Sequence, residues 1–370
     1  MEHFLKYWAR FGRPVVLGEG KPDYPWWIVG EALGEYEEEH QRPFYPEAPA
    51  GSLFRSVIRQ AKLETSPFFV TNIYPIRPPD NKLSRLPELG INRPEAIDTF
   101  KRFIAAYKPE RVLLLGNTPL DAMFGQTGIE DWRGSPFKLP WGGWSVATLH
   151  PSNIQRKYDP KAKDAERGQS KYTYGSGRMS MVLDTVKCFS WKSLEPPKIT
   201  VHTDYSVEEA LGKLIQWREK PTPLAFDIET LGDFIDLIGF ADSPAEAWVY
   251  PLTKKSWTFT FWNSFERELR ALLDTHPYLI GQNGAFDCSL LMRHGFGRPL
   301  CWFDTRLAQA WVYPDLPGDL HYMVSQYSTH PHYKWMIENN RMRYNGLDCA
   351  LTFEVFEALQ KRIKRMEEEK

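Results

Sequence analysis

A chain of 370 residues is longer than one hydrophobic core usually organises, so its length favours two domains. With 42% hydrophobic and 25% charged residues, the composition is that of an ordinary globular α/β protein and excludes a disordered or fibrous one. The net charge of −1 argues against binding nucleic acid by bulk electrostatics, although a local basic groove would still neutralise a few phosphates.

Targeting and redox signals are also absent from the sequence. No apolar run approaches the roughly 20 residues that a membrane-spanning helix needs, and the N-terminus MEHFLKYWARFG has no signal-peptide core. We therefore expect no membrane partner and a cytoplasmic location, or the host cytoplasm if the protein is viral. Neither disulfides nor a cysteine metal cluster is expected, because the four cysteines lack CxxC spacing: Cys188, Cys288, Cys301 and Cys349.

The first half of the chain alternates strand-like and helix-like segments. In order they are WWIVG, SLFRSVIRQAKL, FFVTNIY, PEAIDTFKRFIAAYK, RVLLLG, TPLDAMF, WSVATLH and RMSMVLDTVKCF. Such alternation predicts a parallel sheet with helices on both faces. Between residues 153 and 175, a polar stretch rich in Lys, Arg and Tyr predicts either a solvated surface loop or a loop that contacts DNA.

Polar residues follow three of these strands. The turn IVGEALG places Glu31 beside Gly30, where glycine allows close backbone approach to a ligand. Asn72 and His150 lie near the ends of FFVTNIY and WSVATLH. Either residue alone would be read as a turn cap or a buried, hydrogen-bonded histidine. Because three strand ends deliver polar groups to one rim, we instead expect a ligand site there.

The sequence SLEPPK, residues 193–198, has the double proline of a domain linker, and we place the domains at 1–192 and 199–370. After ITVHT, a helix is expected to open at Ser206, with Glu209 completing a capping box. TPLAFDIET is expected to be a strand, with FIDLIGFAD and AEAWVYPL as antiparallel neighbours. The remainder is expected to be mainly helical.

Acidic residues mark a second candidate site in this half. Asp227 and Glu229 are two apart on a predicted strand, so both carboxylates leave the same face. In GQNGAFDCSLL, Asp287 lies in the first turn of a predicted helix, just after Asn283. Each of these features alone has an ordinary reading, a solvated acidic pair or an Asp favoured by the helix dipole.

The last piece is YNGLDCALTFEVFEAL, in which Tyr344 and Asp348 are four residues apart on a predicted helix. This spacing places the phenol and the carboxylate side by side. The apolar face of the same helix is expected to consist of Ala350, Phe353, Phe356 and Leu359. Without the other pieces, this would be read as the polar face of an amphipathic helix.

The order DxE, NxxxD and YxxxD resembles the tyrosine branch of the DEDD exonucleases, which includes the proofreading domains of family A DNA polymerases. The resemblance implies a ribonuclease-H-like, mixed-sheet α/β domain that hydrolyses phosphodiesters from a 3′ end with two Mg²⁺ or Mn²⁺ ions. It implies that Tyr344 orients the attacking water and that Asp304 is a supporting residue. The implied metal ligands are Asp227, Glu229, Asp287 and Asp348.

The first half resembles the uracil-DNA glycosylase superfamily, and most closely its family-four type, in the sequences GEALG, RPF, TN, RPPDN and HPS. The resemblance implies a parallel-sheet α/β/α domain in which Glu31 holds the hydrolytic water. Phe44 would stack on a flipped base, Asn72 would read the uracil edge beside Gly30, and His150 would stabilise the leaving oxygen.

Two departures from the family-four pattern are visible. Leu33 stands where the turn usually has proline. The family-four type also carries four cysteines on an iron-sulfur cluster, whereas Cys188 is the only cysteine before the linker, so no cluster is expected. The domain either belongs to a cluster-free branch or keeps the fold for binding alone.

Together these resemblances predict a DNA repair or proofreading protein that excises uracil and digests DNA, acting on single strands or 3′ ends. The alternative is an exonuclease whose N-terminal domain reads uracil without catalysis. RNA is a second possible exonuclease substrate. Because the exonuclease relatives are usually fused to a polymerase, a separate DNA polymerase partner is expected, as in a virus or plasmid with split replication genes.

Overall fold

The computed structural model describes residues 1–158, 172–253 and 259–369. The chain forms two compact units, Met1–Glu195 and Pro196–Lys370. Each unit has its own sheet, the first predominantly parallel and the second mixed. The predicted class, α/β with two such domains, is therefore confirmed. In the described part of the chain, no helix is both long and apolar enough to cross a membrane.

The first unit is built on a five-stranded sheet of order β2-β1-β3-β5-β4. Its strands are β1 Trp26–Ala32, β2 Phe68–Tyr74, β3 Arg111–Leu115, β4 Pro136–Lys138 and β5 Trp144–Thr148. Its helices are α1 Glu2–Ala9, α2 Glu35–Glu39, α3 Pro49–Gln60, α4 Arg93–Tyr107, α5 Asn117–Phe124, α6 Ile129–Trp132, α7 Pro151–Tyr158 and α8 Tyr174–Ser190. Short 3-10 turns cover Pro79–Asn81 and Leu83–Leu89.

Strands β2, β1, β3 and β5 run parallel, so their carboxyl ends share one edge of the sheet. The middle residues of β1 and β3 are fully buried, as expected for strands covered on both faces. Against one face, Phe4 of α1 stacks on Phe103 of α4 with ring centroids 4.3 Å apart. This aromatic contact fastens the N-terminal helix to the domain core.

Two predictions for the first unit need correction. The edge strand β4 runs antiparallel to β5, and no strand was predicted there because the Pro- and Gly-rich sequence around it is typical of turns. Helix α7 also occupies the start of the polar stretch 153–175, which was expected to be a loop. The predicted DNA-contacting function of that stretch falls mostly on residues 159–171, which lie outside the described residues.

The second unit has a six-stranded sheet of order β11-β10-β7-β8-β9-β6. Its strands are β6 Thr200–His202, β7 Leu224–Leu231, β8 Phe234–Ser243, β9 Glu246–Pro251, β10 Leu279–Gly281 and β11 Cys301–Asp304. Its helices are α9 Val207–Glu219, α10 Phe259–Thr275, α11 Gly284–Arg293, α12 Thr305–Val312, α13 Leu320–Tyr327, α14 Met336–Asn339 and α15 Arg341–Glu368.

The capping box and the alternating strand patterns of this unit form the structures that were predicted from them. Ser206 accepts a hydrogen bond from the Glu209 N–H at 3.2 Å, and the Glu209 carboxylate accepts one from the Ser206 N–H at 2.7 Å. This confirms the capping box that opens α9. Strands β7, β8 and β9 are antiparallel neighbours, as expected from their alternating sequences.

A glycine lets the long helix α15 approach the sheet closely. A Cβ atom on Gly239 of β8 would lie 2.4 Å from Asn345 Oδ1 and 2.7 Å from Cys349 Sγ. A larger residue at position 239 would have to displace the Asn345 and Cys349 side chains of α15. Since Gly239 pairs with Asp227 across the two strands, the close approach brings α15 to the strand that carries the acidic pair.

Candidate functional site

Three carboxylates from two elements meet on the second unit. Asp227 and Glu229 of β7 and Asp348 of α15 each offer an oxygen within 4.8 Å of the others. Asp287 of α11 lies beside this group, and its Oδ1 is 3.4 Å from the backbone N–H of Ile228. The structure thus brings together the four acidic residues singled out in the sequence, with Asp287 at the margin.

The carboxylate cluster holds more negative charge than its surroundings neutralise. Burial and then its carboxylate neighbours, Asp348 first among them, raise the pKa of Asp227 well above its usual range. Burial raises the pKa of both Asp348 and Asp287 to about 7. Hard divalent cations prefer oxygen ligands and would neutralise this charge, so the donor set fits Mg²⁺ or Mn²⁺.

Two tyrosines lie beside Asp348. Tyr344 is one turn before it on α15, and the Tyr344 hydroxyl is 3.3 Å from His321 Nε2. The hydroxyl of Tyr333 donates to Asp348 Oδ1 at 2.6 Å. Tyr344 was predicted from the sequence, but Tyr333 and His321 were missed, because they lie outside the motif in a segment without periodicity.

Neighbours also position the acidic pair on β7. Asn345 donates from Nδ2 to Asp227 Oδ2 at 2.7 Å and to the Asp227 carbonyl at 3.2 Å. Arg341 donates to the Thr230 carbonyl at 3.0 Å, and its guanidinium is 3.8 Å from Glu229 Oε2. These partners come from the first turns of α15, so one helix supplies a ligand and the groups that orient the others.

Asp304 performs a structural task at the edge of this cluster. It accepts hydrogen bonds from two backbone N–H groups at the start of α11, those of Asn283 at 3.2 Å and Gly284 at 2.9 Å. It also accepts from Arg306 N–H at 2.9 Å, which caps α12. Asp304 thereby fixes the start of the helix that carries Asp287.

A cavity of about 380 Å³ lies at the strand ends of the first unit. Its wall is formed by the turn after β1, the start of α3, the residue after β3 and the segment after β5. Phe44 and Tyr36 contribute aromatic rings to that wall, and its polar side chains include Glu31, Asn81, His150, Asn153 and Arg156. The cavity is therefore at the rim where parallel α/β sheets usually bind ligands.

The surroundings of His150 determine its tautomer. Its Nδ1 accepts hydrogen bonds from the Ser152 N–H at 3.2 Å and lies 3.0 Å from the Ser152 hydroxyl oxygen. Because Nδ1 accepts a backbone N–H, the proton of the neutral ring is on Nε2. Burial, with a smaller contribution from Arg156, lowers the pKa of His150 to about 4. At neutral pH this side chain is an uncharged N–H donor.

The low pKa of His150 predicts a loss of stability in mild acid. Between about pH 6.5 and pH 4, His150 binds a proton in the unfolded chain but not in the folded chain. The free energy of unfolding therefore falls as the pH falls. Relative to His150→Asn, the wild-type chain should lose about 1 to 2 kcal/mol between about pH 7.5 and pH 5. Calorimetric unfolding of both proteins at the two pH values measures this difference. His276, whose pKa burial also lowers to about 4, is present in both proteins and contributes the same loss to each. Equal total losses in the two proteins would therefore contradict the prediction for His150.

Asn72 and Phe44 meet over Gly30. A Cβ on Gly30 would be 2.4 Å from Asn72 Oδ1 and 2.7 Å from the Phe44 ring, so glycine makes room for both side chains. Asn72 is 1% exposed, and among the described residues neither amide atom has a hydrogen-bond partner. A buried amide without partners is unfavourable by roughly 1–3 kcal/mol, which a ligand with a donor and an acceptor would relieve.

Two glutamates organise the turn after β1. The Glu31 carboxylate accepts a hydrogen bond from the Thr118 hydroxyl at the start of α5. The Glu37 carboxylate accepts from the backbone N–H of Gly34 and of Phe44 and so joins the two ends of this segment. Phe44 is held with a positive φ of 48°, a conformation that this bridge helps to maintain. Glu37 was missed in the sequence because it lies in a run of acidic residues.

A buried ionic network holds the end of β5, two residues before His150. Arg133 donates from Nε to Asp184 Oδ2 at 2.9 Å, and both side chains are 1% exposed. The Thr148 hydroxyl donates to the same carboxylate at 2.7 Å. Asp184 of α8 thus connects the last residue of β5 to the segment before β4.

Comparison with known proteins agrees with this geometry. Residues 17–168 match the family model of the uracil DNA glycosylase superfamily. The type-4 uracil-DNA glycosylase of Pyrobaculum aerophilum is 29% identical over 156 residues, which are 40% of this chain and 76% of that protein. That of Thermotoga maritima is 30% identical over 148 residues, which are 38% of this chain and 72% of that protein. The chain belongs to the uracil-DNA glycosylase superfamily.

The alignment with a relative of a different kind covers more of this chain than the superfamily match does. DNA polymerase I of Borreliella burgdorferi is 23% identical over 225 residues, 56% of this chain. The chain spans only 24% of the length of that polymerase.

Within the glycosylase superfamily, this chain departs from the family-four pattern at two places described above. Leu33 is 2% exposed and lines the cavity, so an apolar side chain stands in this turn where the family-four pattern has a proline ring. Cys188 is buried in α8, and burial raises the pKa of its thiol, so it is an unreactive core residue.

Proposed function

We propose that this chain excises uracil from DNA with its first unit and hydrolyses DNA from the 3′ end with its second. The observation that carries the first activity is the cavity that unites Glu31, Phe44 and His150, next to the unpartnered amide of Asn72. The second activity is supported by the close group of Asp227, Glu229 and Asp348 together with the polymerase relative.

In the proposed excision, a uracil leaves the base stack and enters the cavity, where Phe44 offers an aromatic face. Asn72 supplies one donor and one acceptor for the N–H and C=O groups on the base edge. The bond between uracil N1 and C1′ breaks, and its electron pair leaves with the base. The Nε2–H of His150 donates to the uracil oxygen on which negative charge develops. Glu31 holds the water whose oxygen joins C1′ and takes up its proton.

In the proposed hydrolysis, a water oxygen joins the terminal phosphorus and the bond from phosphorus to the preceding O3′ breaks. Asp227, Glu229, Asp287 and Asp348 would hold two Mg²⁺ or Mn²⁺ ions, which supply charge stabilisation and a more acidic water. Tyr344 orients the attacking water through its hydroxyl, which is 3.3 Å from His321 Nε2. The released O3′ takes a proton from solvent.

DNA rather than RNA is the proposed substrate of both units, because the glycosylase superfamily domain is in the same chain. A reader domain without catalysis is the second candidate for the first unit. Leu33, which stands where the family-four turn usually has proline, is the departure that motivates this alternative, in which Phe44 and Asn72 bind the base and Glu31 activates no water. Glu31 is therefore the residue whose substitution separates the two candidates.

A separate DNA polymerase is the proposed partner, because the exonuclease domains that the second unit resembles are usually fused to a polymerase. If the chain proofreads for such an enzyme, the two should co-purify at low ionic strength, where surface electrostatics are strongest. Tagged chain and the replicative polymerase encoded nearby are the components to combine. Absence of a complex at low salt would remove the partner from the proposal and leave both activities in place.

One experiment tests both activities. A 5′-labelled single-stranded oligonucleotide with one internal uracil is incubated with the protein in EDTA and in Mg²⁺, and alkali then cleaves abasic sites. Cleavage at the uracil in EDTA and a shortening ladder in Mg²⁺ are expected, because the carboxylate cluster is the site that fits cations. An oligonucleotide with thymine at the same position is the control.

Each outcome of this experiment has a definite meaning. An intact strand in EDTA with a ladder in Mg²⁺ would contradict excision and support a reader serving an exonuclease. A ladder that pauses at uracil would identify the base that the reader binds. An intact 3′ end in both Mg²⁺ and Mn²⁺ would contradict the exonuclease.

Gly30→Ala is expected to abolish uracil release and to lower the melting temperature of the first unit. The added Cβ would overlap Asn72 Oδ1 and the Phe44 ring, at 2.4 and 2.7 Å, and would displace both. Release in EDTA and calorimetric unfolding measure the two effects. Gly175→Ala is the control, because its nearest neighbouring atom is 3.9 Å away. Equal activity of the two variants would contradict the proposed function of Asn72 and Phe44.

A further inference from the structure

One aromatic ring on the wall of the cavity has no partner in the described part of the protein. Tyr36 of α2 is 54% exposed, and among the described residues its hydroxyl forms no hydrogen bond and its ring stacks on no other ring. Tyr45 differs, because its ring stacks on His40 with centroids 3.9 Å apart. The face of an aromatic ring is apolar, so the exposed Tyr36 ring is able to stack on a flat group of a ligand.

The backbone around Tyr36 is held in place by its two neighbours. The carboxylate of Glu37, the next residue, accepts a hydrogen bond from the backbone N–H of Phe44. The guanidinium of Arg77 lies 3.4 Å from the carboxylate of Glu35, the preceding residue. Because both neighbours are tied to other segments, the Tyr36 ring moves mainly about its own two side-chain torsions and loses little conformational entropy on stacking.

The two sides of the cavity differ in charge. The side formed by α2 carries Glu35, whose side chain is 67% exposed. The side formed by α7 carries Asn153 and Arg156. These two segments follow β1 and β5, which lie on either side of β3 in the sheet. A phosphodiester backbone is attracted to the Arg156 guanidinium and repelled by the acidic residues of α2. A bound strand would therefore run its backbone along α7 and turn its bases towards Tyr36.

We propose that Tyr36 stacks on the base next to a flipped uracil, and that the first unit acts on uracil in single-stranded DNA. When a uracil leaves the stack of a single strand, the neighbouring base exposes one face, and Tyr36 covers that face. In a duplex, pairing with the complementary base holds the same neighbour inside the helix. This inference rests on the proposed uracil site and names the substrate class of that site.

The first test compares Tyr36→Ala with the wild-type chain in binding a labelled single strand that contains one internal uracil. The uracil nucleotide carries a 2′-fluorine, which slows cleavage of the glycosidic bond, and EDTA removes the cations that hydrolysis by the second unit would need. Fluorescence anisotropy gives the dissociation constants. Tyr36→Ala is expected to weaken binding by about 5- to 150-fold, the range for the loss of one base–aromatic stack. The same strand with thymine should be bound equally by both proteins.

Tyr36→Phe and Tyr24→Ala are the controls. Phenylalanine keeps the ring, so Tyr36→Phe should bind the uracil strand as tightly as the wild type does. Tyr24 precedes β1 and so lies at the edge of the sheet away from the cavity, and Tyr24→Ala should leave the dissociation constant unchanged. Because Tyr36 is exposed, its substitutions are expected to leave the fold intact.

A second test removes the base instead of the ring. A tetrahydrofuran nucleotide, which has no base, replaces the nucleotide on the 5′ side or on the 3′ side of the uracil. On one of the two sides, the wild-type chain should lose as much affinity as the Tyr36→Ala substitution costs, and Tyr36→Ala should lose none. This coupling identifies a direct contact, because a residue that only supports the fold would cause the same loss with and without the neighbouring base.

The substrate class is tested with the same uracil strand annealed to its complement. Tyr36→Ala and the wild type should bind this duplex equally, or neither should bind it. An equal or larger loss on the duplex would show that Tyr36 inserts into a helix and would overturn the assignment to single strands. The stacking contact would be overturned by equal affinity of the two proteins for the single strand, by equal losses on removal of the neighbouring base, or by no binding of the uracil strand by the wild type.

Uracil excision is judged separately, by base release from an unmodified strand in EDTA. Release by the wild type, with no effect of Tyr36→Ala on binding, would remove the stacking contact and leave the excision. Binding that depends on Tyr36, without release, would contradict the excision and leave a reader of uracil in single-stranded DNA.

Discussion

Replacing Asp227 by Asn is expected to reduce nucleotide release from a 3′ end by more than about a hundredfold, because groups that only orient metal ligands already account for 10- to 100-fold. Asp227 is central to the cluster, with an oxygen within 4.8 Å of those of Glu229 and Asp348. The amide has a similar shape but replaces a charged oxygen ligand by an N–H₂ group. Laddering of a 5′-labelled strand in Mg²⁺ measures the loss.

The same substitution is expected to raise the melting temperature in EDTA. Without cations, the Asp227 carboxylate is half-buried and repelled by its neighbours, which its raised pKa reflects. Asp204→Asn, at an exposed position outside the cluster, should change neither quantity. A variant that is both inactive and less stable than the wild type would indicate a structural carboxylate and contradict the proposed metal ligand.

Replacing Glu31 by Gln is expected to reduce uracil release by about 10²–10³-fold, the effect of removing one preorganised charge-stabilising group. The glutamine oxygen can still accept the Thr118 hydrogen bond, so the turn should be retained. What is lost is the negative charge near the sugar and the acceptor of the water proton. Single-turnover release in EDTA measures the rate, and fluorescence anisotropy of a uracil-containing strand measures binding.

Binding should survive this substitution because Phe44 and Asn72 are unchanged. Glu39→Gln is the control, since Glu39 lies at the end of α2, is exposed and does not line the cavity. If Glu31→Gln and the wild type release uracil equally, the glutamate is not catalytic. If neither releases uracil and both bind it with equal affinity, the first unit is a reader.

The sequence predicted the main elements because they have strong periodic patterns. The segment FFVTNIY became β2 without a change of boundary, and the capping box at Ser206 opened α9 as expected. Strand β4 was missed because Pro136 and the glycines at residues 142 and 143 are typical of turns, and only pairing with β5 makes this segment a strand. Such pairing is a tertiary effect that local sequence does not contain.

The site residues also divide into those that local sequence identifies and those that depend on tertiary contacts. Those in motifs, such as Asp227 and Tyr344, could be named from the sequence, and the structure brings them to one place. Tyr333 and Asn345 could not, because their value comes from two hydrogen bonds to carboxylates that are distant along the chain. Glu37 was hidden for a different reason, since it bridges two backbone N–H groups that converge only after folding.

The buried pair Arg133 and Asp184 restricts how this domain can evolve. Removing either partner alone leaves an uncompensated buried charge, which destabilises a protein by about 3–5 kcal/mol, whereas replacing both by apolar residues is often neutral. Replacing the two residues one at a time therefore requires a destabilised intermediate sequence. Among descendants of this sequence, residues 133 and 184 should change together or not at all, and Thr148, which donates to the same carboxylate, should change with them.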